Sequence, residues 1–121
     1  MPVTYKNSIK IKDLEANPDS LYLYCENAEY QNDGKFTLIK GEENAVGVRL
    51  KFSPGNLEAS HINEGDSFEG MAMIDEDLEQ VFEHVKSGGT VVIPKMDFIP
   101  SKLCESVRAY FLAQLSDLSN L

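Results

Sequence analysis

The stretch from Ile74 to Pro94 constrains the fold more than any other: an acidic amphipathic segment, two glycines, then a short β-branched run. Leu78, Val81, Phe82 and Val85 fall at i, i+3, i+4 and i+7, so their side chains share one helical face. Gly88 and Gly89 stand where a helix ends on a residue that tolerates positive φ. Thr90, Val91, Val92 and Ile93 are all β-branched, and Pro94 closes the run. Bulky groups facing both ways predict an inner strand covered on both sides. A helix feeding such a strand is the signature of an α/β domain.

Upstream, Val46, Val48, Leu50 and Phe52 alternate with Gly47, Arg49 and Lys51, which predicts a strand with one buried face and one wet face. Leu21 to Tyr24 predicts another strand, running into Cys25-Glu26-Asn27. Ile9 to Lys12 alternates as an edge strand does, and Asp13 to Ala16 reads as one helical turn ended by Asn17-Pro18-Asp19-Ser20. Asp33-Gly34 is the expected tight turn of a polar loop, and Phe36 to Ile39 is apolar without a clear period. The long helix is expected to be capped by Asp66 or Ser67, with Gly70 weakening its first turns; a start at Asp75 is the alternative. Pro100-Ser101 opens a final helix with Leu103, Val107, Phe111, Leu115 and Leu118 as its stripe. The order β–β–(β)–β–α–β–α predicts one α/β domain over 1–121, a small mixed sheet covered by two main helices.

The net charge is −9, and its placement matters more than its size. From Phe52 to Val85 there are nine carboxylates and no Lys or Arg; removing them from 20 acidic residues leaves 11, equal to the 11 basic ones. That third of the chain repels nucleic-acid backbones and attracts basic surfaces, so direct nucleic-acid binding is disfavoured. Cys25 and Cys104 lie in apolar segments and are expected to be buried free thiols in a reducing compartment. With no signal-like stretch and no membrane-spanning apolar run, the expected location is the cytoplasm.

Three segments together resemble a family of small, mostly uncharacterised phage and bacterial proteins: Asn17 to Tyr24, Gly41-Glu42-Glu43-Asn44-Ala45-Val46-Gly47-Val48, and Gly88 to Pro94. That family carries a Gly-Asp-Asn signature after a strand, a glycine-rich segment, and an Asn-Ala-Val-Gly strand. It is similar, more remotely, to macro-domain-like phage proteins associated with ADP-ribose derivatives. The resemblance covers most of the chain to Pro94 and implies a three-layer α/β arrangement, with the host cytoplasm as the location of a phage-encoded member. This chain departs from the pattern with Cys25-Glu26-Asn27 in the signature, a single Gly34 in the first glycine segment, and Lys95-Met96-Asp97-Phe98-Ile99-Pro100 after the last strand. Loop glycines let backbone N–H groups approach a phosphate, and bulky replacements obstruct it. The resemblance therefore implies a nucleotide-type pocket that is lost or altered.

Asn27 and Asn44 are what remains of the polar signature: ligand contacts, or turn residues closing backbone hydrogen bonds. Glu26 could be a general base if its surroundings raised its pKa, or an ordinary strand-end carboxylate. His61, His84, Cys25 and Cys104 lack pairwise metal-ligand spacing, so no metal is expected. Asp75-Glu76-Asp77 with Glu79 lacks the spacing and glycine of a calcium loop. There is no nucleophile triad order, P-loop, dinucleotide fingerprint or Cys-x-x-Cys pair, so no catalytic residue and no cofactor is assigned. The leading expectation is a small acidic phage-type accessory protein that docks on a basic protein surface, for instance the nucleic-acid-binding groove of a host enzyme, and blocks or modulates it. Its docking residues would be Glu64, Asp66, Glu69, Asp75, Glu76, Asp77, Glu79 and Glu83, with Phe68, Met71 and Met73 as apolar anchors. The alternative is a macro-like domain binding or hydrolysing an ADP-ribose-type or nucleotide ligand through Asn27, Asn44 and the loop after Pro94.

Overall fold

The computed structural model describes residues 2–121. Its elements, in chain order, are β1 (Val3–Lys6), α1 (Ile11–Ala16), β2 (Ser20–Asn27), β3 (Ala45–Lys51), α2 (Ser67–Lys86), β4 (Thr90–Pro94) and α3 (Glu105–Ser119). Short 3-10 turns occupy Gly34–Thr37, Glu58–Ser60 and Glu64–Asp66.

The helix–glycine–strand unit forms as its sequence dictates. Gly88 adopts φ +92°, its N–H donates to Val85 O, and the Gly89 N–H donates to His84 O. This 6→1 and 5→2 pairing is a Schellman ending, which satisfies carbonyls that the last helical turn would otherwise leave open. β4 then enters the sheet between β1 and β2, as an inner strand should. Val91 and Ile93 face the main core, while Val92 packs against the smaller cluster on the other side.

The strand order is β1-β4-β2-β3, and every pairing among these strands is parallel, so the expected mixed sheet is corrected to a parallel one. Among the described residues the one antiparallel contact is a bridge from Lys51 to His61, outside the four strands' mutual pairing. The β1-to-β2 crossover passes over β4 in one direction, and the β3-to-β4 crossover passes back over β2 in the other. Right-handed crossovers running in opposite directions put their helices on opposite faces. The core divides accordingly. Leu14 of α1 packs with Tyr22 and Ile39 on one face, and α2 and α3 cover Leu23, Cys25, Val48, Leu50 and Val91 on the other. The result is three layers, one thin and one thick around the sheet.

Two boundaries differ from expectation. The edge strand is Val3–Lys6 rather than Ile9 to Lys12; Ile11 is exposed and begins α1, while Ile9 packs on the small cluster. The last helix begins at Glu105 rather than at Pro100, because the Leu103 N–H turns back to Pro100 O and the Cys104 N–H donates to Ile62 O. Its apolar stripe is buried as expected. Gly70 does not break α2: a Cβ there would sit 2.9 Å from Ile62 Cγ2 and 3.2 Å from Val107 Cγ2, so the glycine lets α2 approach its neighbours closely.

Candidate functional site

β2 and β4 are neighbours whose outgoing chains leave toward opposite faces. The chain after β2 delivers Ile39 to the small cluster, and the chain after β4 delivers Phe98 to the main core. In an open parallel sheet this divergence opens a crevice beyond the carboxyl ends of the strands. A cleft is found there, in two lobes. The apolar lobe, of about 170 Å³, is lined by Tyr24, Phe36, Ile39, Met96 and Phe98 among others. The polar lobe, of about 370 Å³, is lined by Asp33, Lys51, Asn56, His61 and Ser101 among others, and Lys35, Phe36 and Asp97 border both.

Lys51 is the unexpected residue. Its place in the alternation assigned it to a wet face, yet it is only 3% exposed. Its ammonium donates to Asp33 Oδ2 at 2.6 Å and Gly55 O at 2.7 Å, and lies 5.3 Å from the centre of the Phe36 ring. Asp33 also accepts from the Gly55 N–H, so one ion pair ties the loop after β2 to the turn after β3. Beside it, His61 has Nε2 3.3 Å from Asn56 Oδ1, while its buried Nδ1 has no partner among the described residues. Burial pushes the His61 pKa down, helped by the charges of Lys51 and Lys102. Cys25 reaches the same cleft, but burial pushes its thiol up to about 12, so it remains protonated and unreactive. Nothing in the local sequence pattern marked Lys51, since its partner Asp33 lies eighteen residues away.

The sequence-derived ligand residues are not gathered at this cleft. Asn27, at the carboxyl end of β2, accepts the N–H groups of Glu29 and Gln31 on Oδ1 and donates Nδ2–H to Gln31 O. Asn44 lies at the other end of the sheet, where its amide donates to the carbonyls of Leu14, Asn17 and Ser20. Both close backbone turns. Glu26 is 2% exposed, paired with Lys40 at 2.9 Å, and accepts from the Tyr24 hydroxyl and the Asn27 N–H. Burial, with the Glu26 charge, pushes the Tyr24 phenol upward. Of the alternative's residues, only the loop after Pro94 lines the cleft.

The carboxylates assigned to docking separate into two groups. Asp77 is bound by Arg49, Asp75 accepts from the Tyr110 hydroxyl, and Asp66 accepts from the Asn63 N–H. Glu64 accepts the N–H and hydroxyl of Ser106 in the first turn of α3, and those bonds hold its pKa down. Met73 is buried and Met71 half-buried, so neither is a free anchor; Phe68 is 89% exposed. The remaining residues, Glu69, Glu76, Glu79 and Glu83, share one face of α2 with Ala72 and Gln80, within an arc of about 100° at 100° per residue. Glu76 lies 3.3 Å from Arg49 and Glu83 3.8 Å from Lys86, yet their side chains stay 76% and 71% exposed.

Among the described residues no group of three or more His, Cys, Asp or Glu side chains is placed to hold a metal ion, and no helix is long and apolar enough to cross a membrane. The chain matches the "Family of unknown function (DUF7831)" over residues 4–105, from β1 to the first residue of α3, and belongs to that family. No curated protein and no solved structure matches it.

Proposed function

We propose that this member of a family of unknown function is a binding protein that lays the exposed face of α2 on a basic surface of another protein. The observation that carries this reading is the exposed arc of Glu69, Glu76, Glu79 and Glu83, spanning about 21 Å at 1.5 Å per residue. Phe68 stands exposed at the head of the same helix and supplies an aromatic contact. A rigid row of like charge steers a basic partner into register, while the aromatic slows its departure. The partner chemistry that fits is a groove lined with Lys and Arg, such as an enzyme uses to hold nucleic acid; occupying it would block or modulate that enzyme, the mode of action of a phage-type accessory protein.

The test is affinity capture from lysate at low and high salt, with the wild type beside a variant in which all four glutamates are Gln. Proteins held by the wild type, released by salt and not held by the variant support the reading. Identical capture by the two chains at both salt concentrations overturns it.

A further inference from the structure

We propose that the two-lobed cleft beyond β2, β3 and β4 is a second, separate site, which binds a phosphate group carried on a flat aromatic body. The phosphate belongs in the polar lobe. Lys35 and Lys51 line it beside Asp33 and Asp97, each already within reach of a lysine, and Lys102 stands with Glu58 at the adjoining hollow that shares His61. Lys51 is buried, Asp33 and Gly55 take two of its three protons, and the third has no acceptor among the described residues.

His61 supplies the second, independent observation. It is only 5% exposed, and it borders the polar lobe. Asn56 Oδ1 can only accept, so the proton sits on Nε2 and Nδ1 is left as a bare acceptor without a donor. The lobe thus has one Lys51 proton unspent and, beneath its surface, one imidazole nitrogen without a partner among the described residues. A phosphate monoester near neutral pH offers anionic oxygens for the lysines.

The aromatic body belongs in the apolar lobe, where Phe36, Met96 and Phe98 form the walls. Phe36 borders both lobes and carries Lys51 over its ring, so one ligand can contact ring and cation together. The weak Lys35–Asp97 pair, 3.7 Å apart and well exposed, joins the loops bordering both lobes and yields readily to a stronger anion.

The test titrates the full ¹⁵N-labelled chain with 1-naphthyl phosphate, 1-naphthol and inorganic phosphate, following backbone amides. Naphthyl phosphate is expected to give saturable shifts at Phe36, Lys51, Gly55, His61 and Asp97, and to bind about tenfold or more tightly than either fragment. Lys51 itself is left intact, because removing it strands Asp33. The exposed Lys35→Glu and Lys102→Glu instead weaken the phosphate-bearing probe by about tenfold each, without altering the rest of the spectrum. Glu79→Gln leaves the titration unchanged, which keeps this site's outcome distinct from that of α2. Absence of shifts at these amides, equal affinity for naphthol and naphthyl phosphate, or indifference to both lysine reversals overturns the proposal.

Discussion

Arg49 Nε and Nη2 each donate to the carboxylate of Asp77 at 3.0 Å, and the Arg49 backbone N–H donates to the same group at 2.7 Å. One side chain of α2 thereby satisfies a backbone donor on the edge strand β3 and clamps its arginine in a fork. The hydrogen bonds that Arg49 donates to Asp77 also hold the Arg49 pKa up. An edge strand with open N–H groups invites pairing with other chains, and this contact closes one of them. Asp77 is therefore a strut between helix and sheet rather than part of a docking face.

Asp77→Asn keeps the shape but weakens three charge-assisted bonds. The expected loss is about 2 kcal/mol, read as a lower urea midpoint at unchanged slope. A midpoint equal to the wild type would mean that the strut carries no weight.

Glu79 has the opposite character. Asp75 lies four residues before it, Glu76 three before and Glu83 four after, so it faces three like charges on the helix surface. Each such pair costs a few tenths of a kcal/mol. Glu79→Gln should then raise stability by about 0.5–1 kcal/mol while slowing association with a basic partner. Thermal unfolding and association rates measured on the same variant check both signs. A variant that is less stable, or that binds as fast as the wild type, contradicts the role given to the arc.

What the sequence made legible was local. The face of α2, the glycine ending and the run of β4 each rest on residues within one turn or one pleat of each other, so periodicity reads them directly. The parallel pairing of β2 with β3 and of β1 with β4 depends on crossovers, and no dipeptide encodes it. Lys51 illustrates the same gap at the cleft: alternation places it outward, and only the Asp33 carboxylate and Gly55 carbonyl, brought in by two separate loops, make its burial tolerable. Asn44 was visible as a polar residue before a strand, but whether its amide met a ligand or three carbonyls depended on where α1 came to rest. The acidic segment was legible as composition, while its division into caps, a strut and an exposed arc was not.

Acid should destabilise the chain in two stages. The His61 pKa lies below its ordinary 6.5, pushed down by burial and then by Lys51 and Lys102. The unfolded chain takes up a proton near 6.5 that the folded chain refuses, so this contribution is complete above 6.5 and drains as pH falls toward the lowered folded value. Asp13 follows at lower pH. The Lys6 ammonium and the Lys10 N–H hold it below 3.8, so its stabilisation is complete above 3.8 and disappears as pH falls through the folded value. Urea midpoints across this range should show an early decline that His61→Gln removes and a later one that Asp13→Asn reduces. A flat profile from neutral to about pH 5 would mean that His61 charges freely in the fold.

The two glycines that end α2 are required for different reasons, and substitution separates them. Gly88 holds φ +92° with nothing within 4 Å of an added Cβ, so Gly88→Ala meets a backbone penalty of about 1 kcal/mol whatever its neighbours are. Gly89 has no such backbone constraint, but a Cβ there would lie 2.3 Å from His84 Nε2 and 2.5 Å from His84 Cδ2. The imidazole lies against the backbone at the start of β4, with Nε2 buried and unpartnered among the described residues. Gly89→Ala must displace that ring, at a cost of about 1–3 kcal/mol. In a His84→Ala background the space is open and the same substitution should be nearly neutral, whereas Gly88→Ala should cost as much as before. A double-mutant cycle in chemical denaturation measures the difference. Coupling above about 1 kcal/mol for Gly89 with His84, and none for Gly88 with His84, is the expected pattern. Equal costs for Gly89→Ala in both backgrounds would show that backbone conformation, not the imidazole, dictates the second glycine.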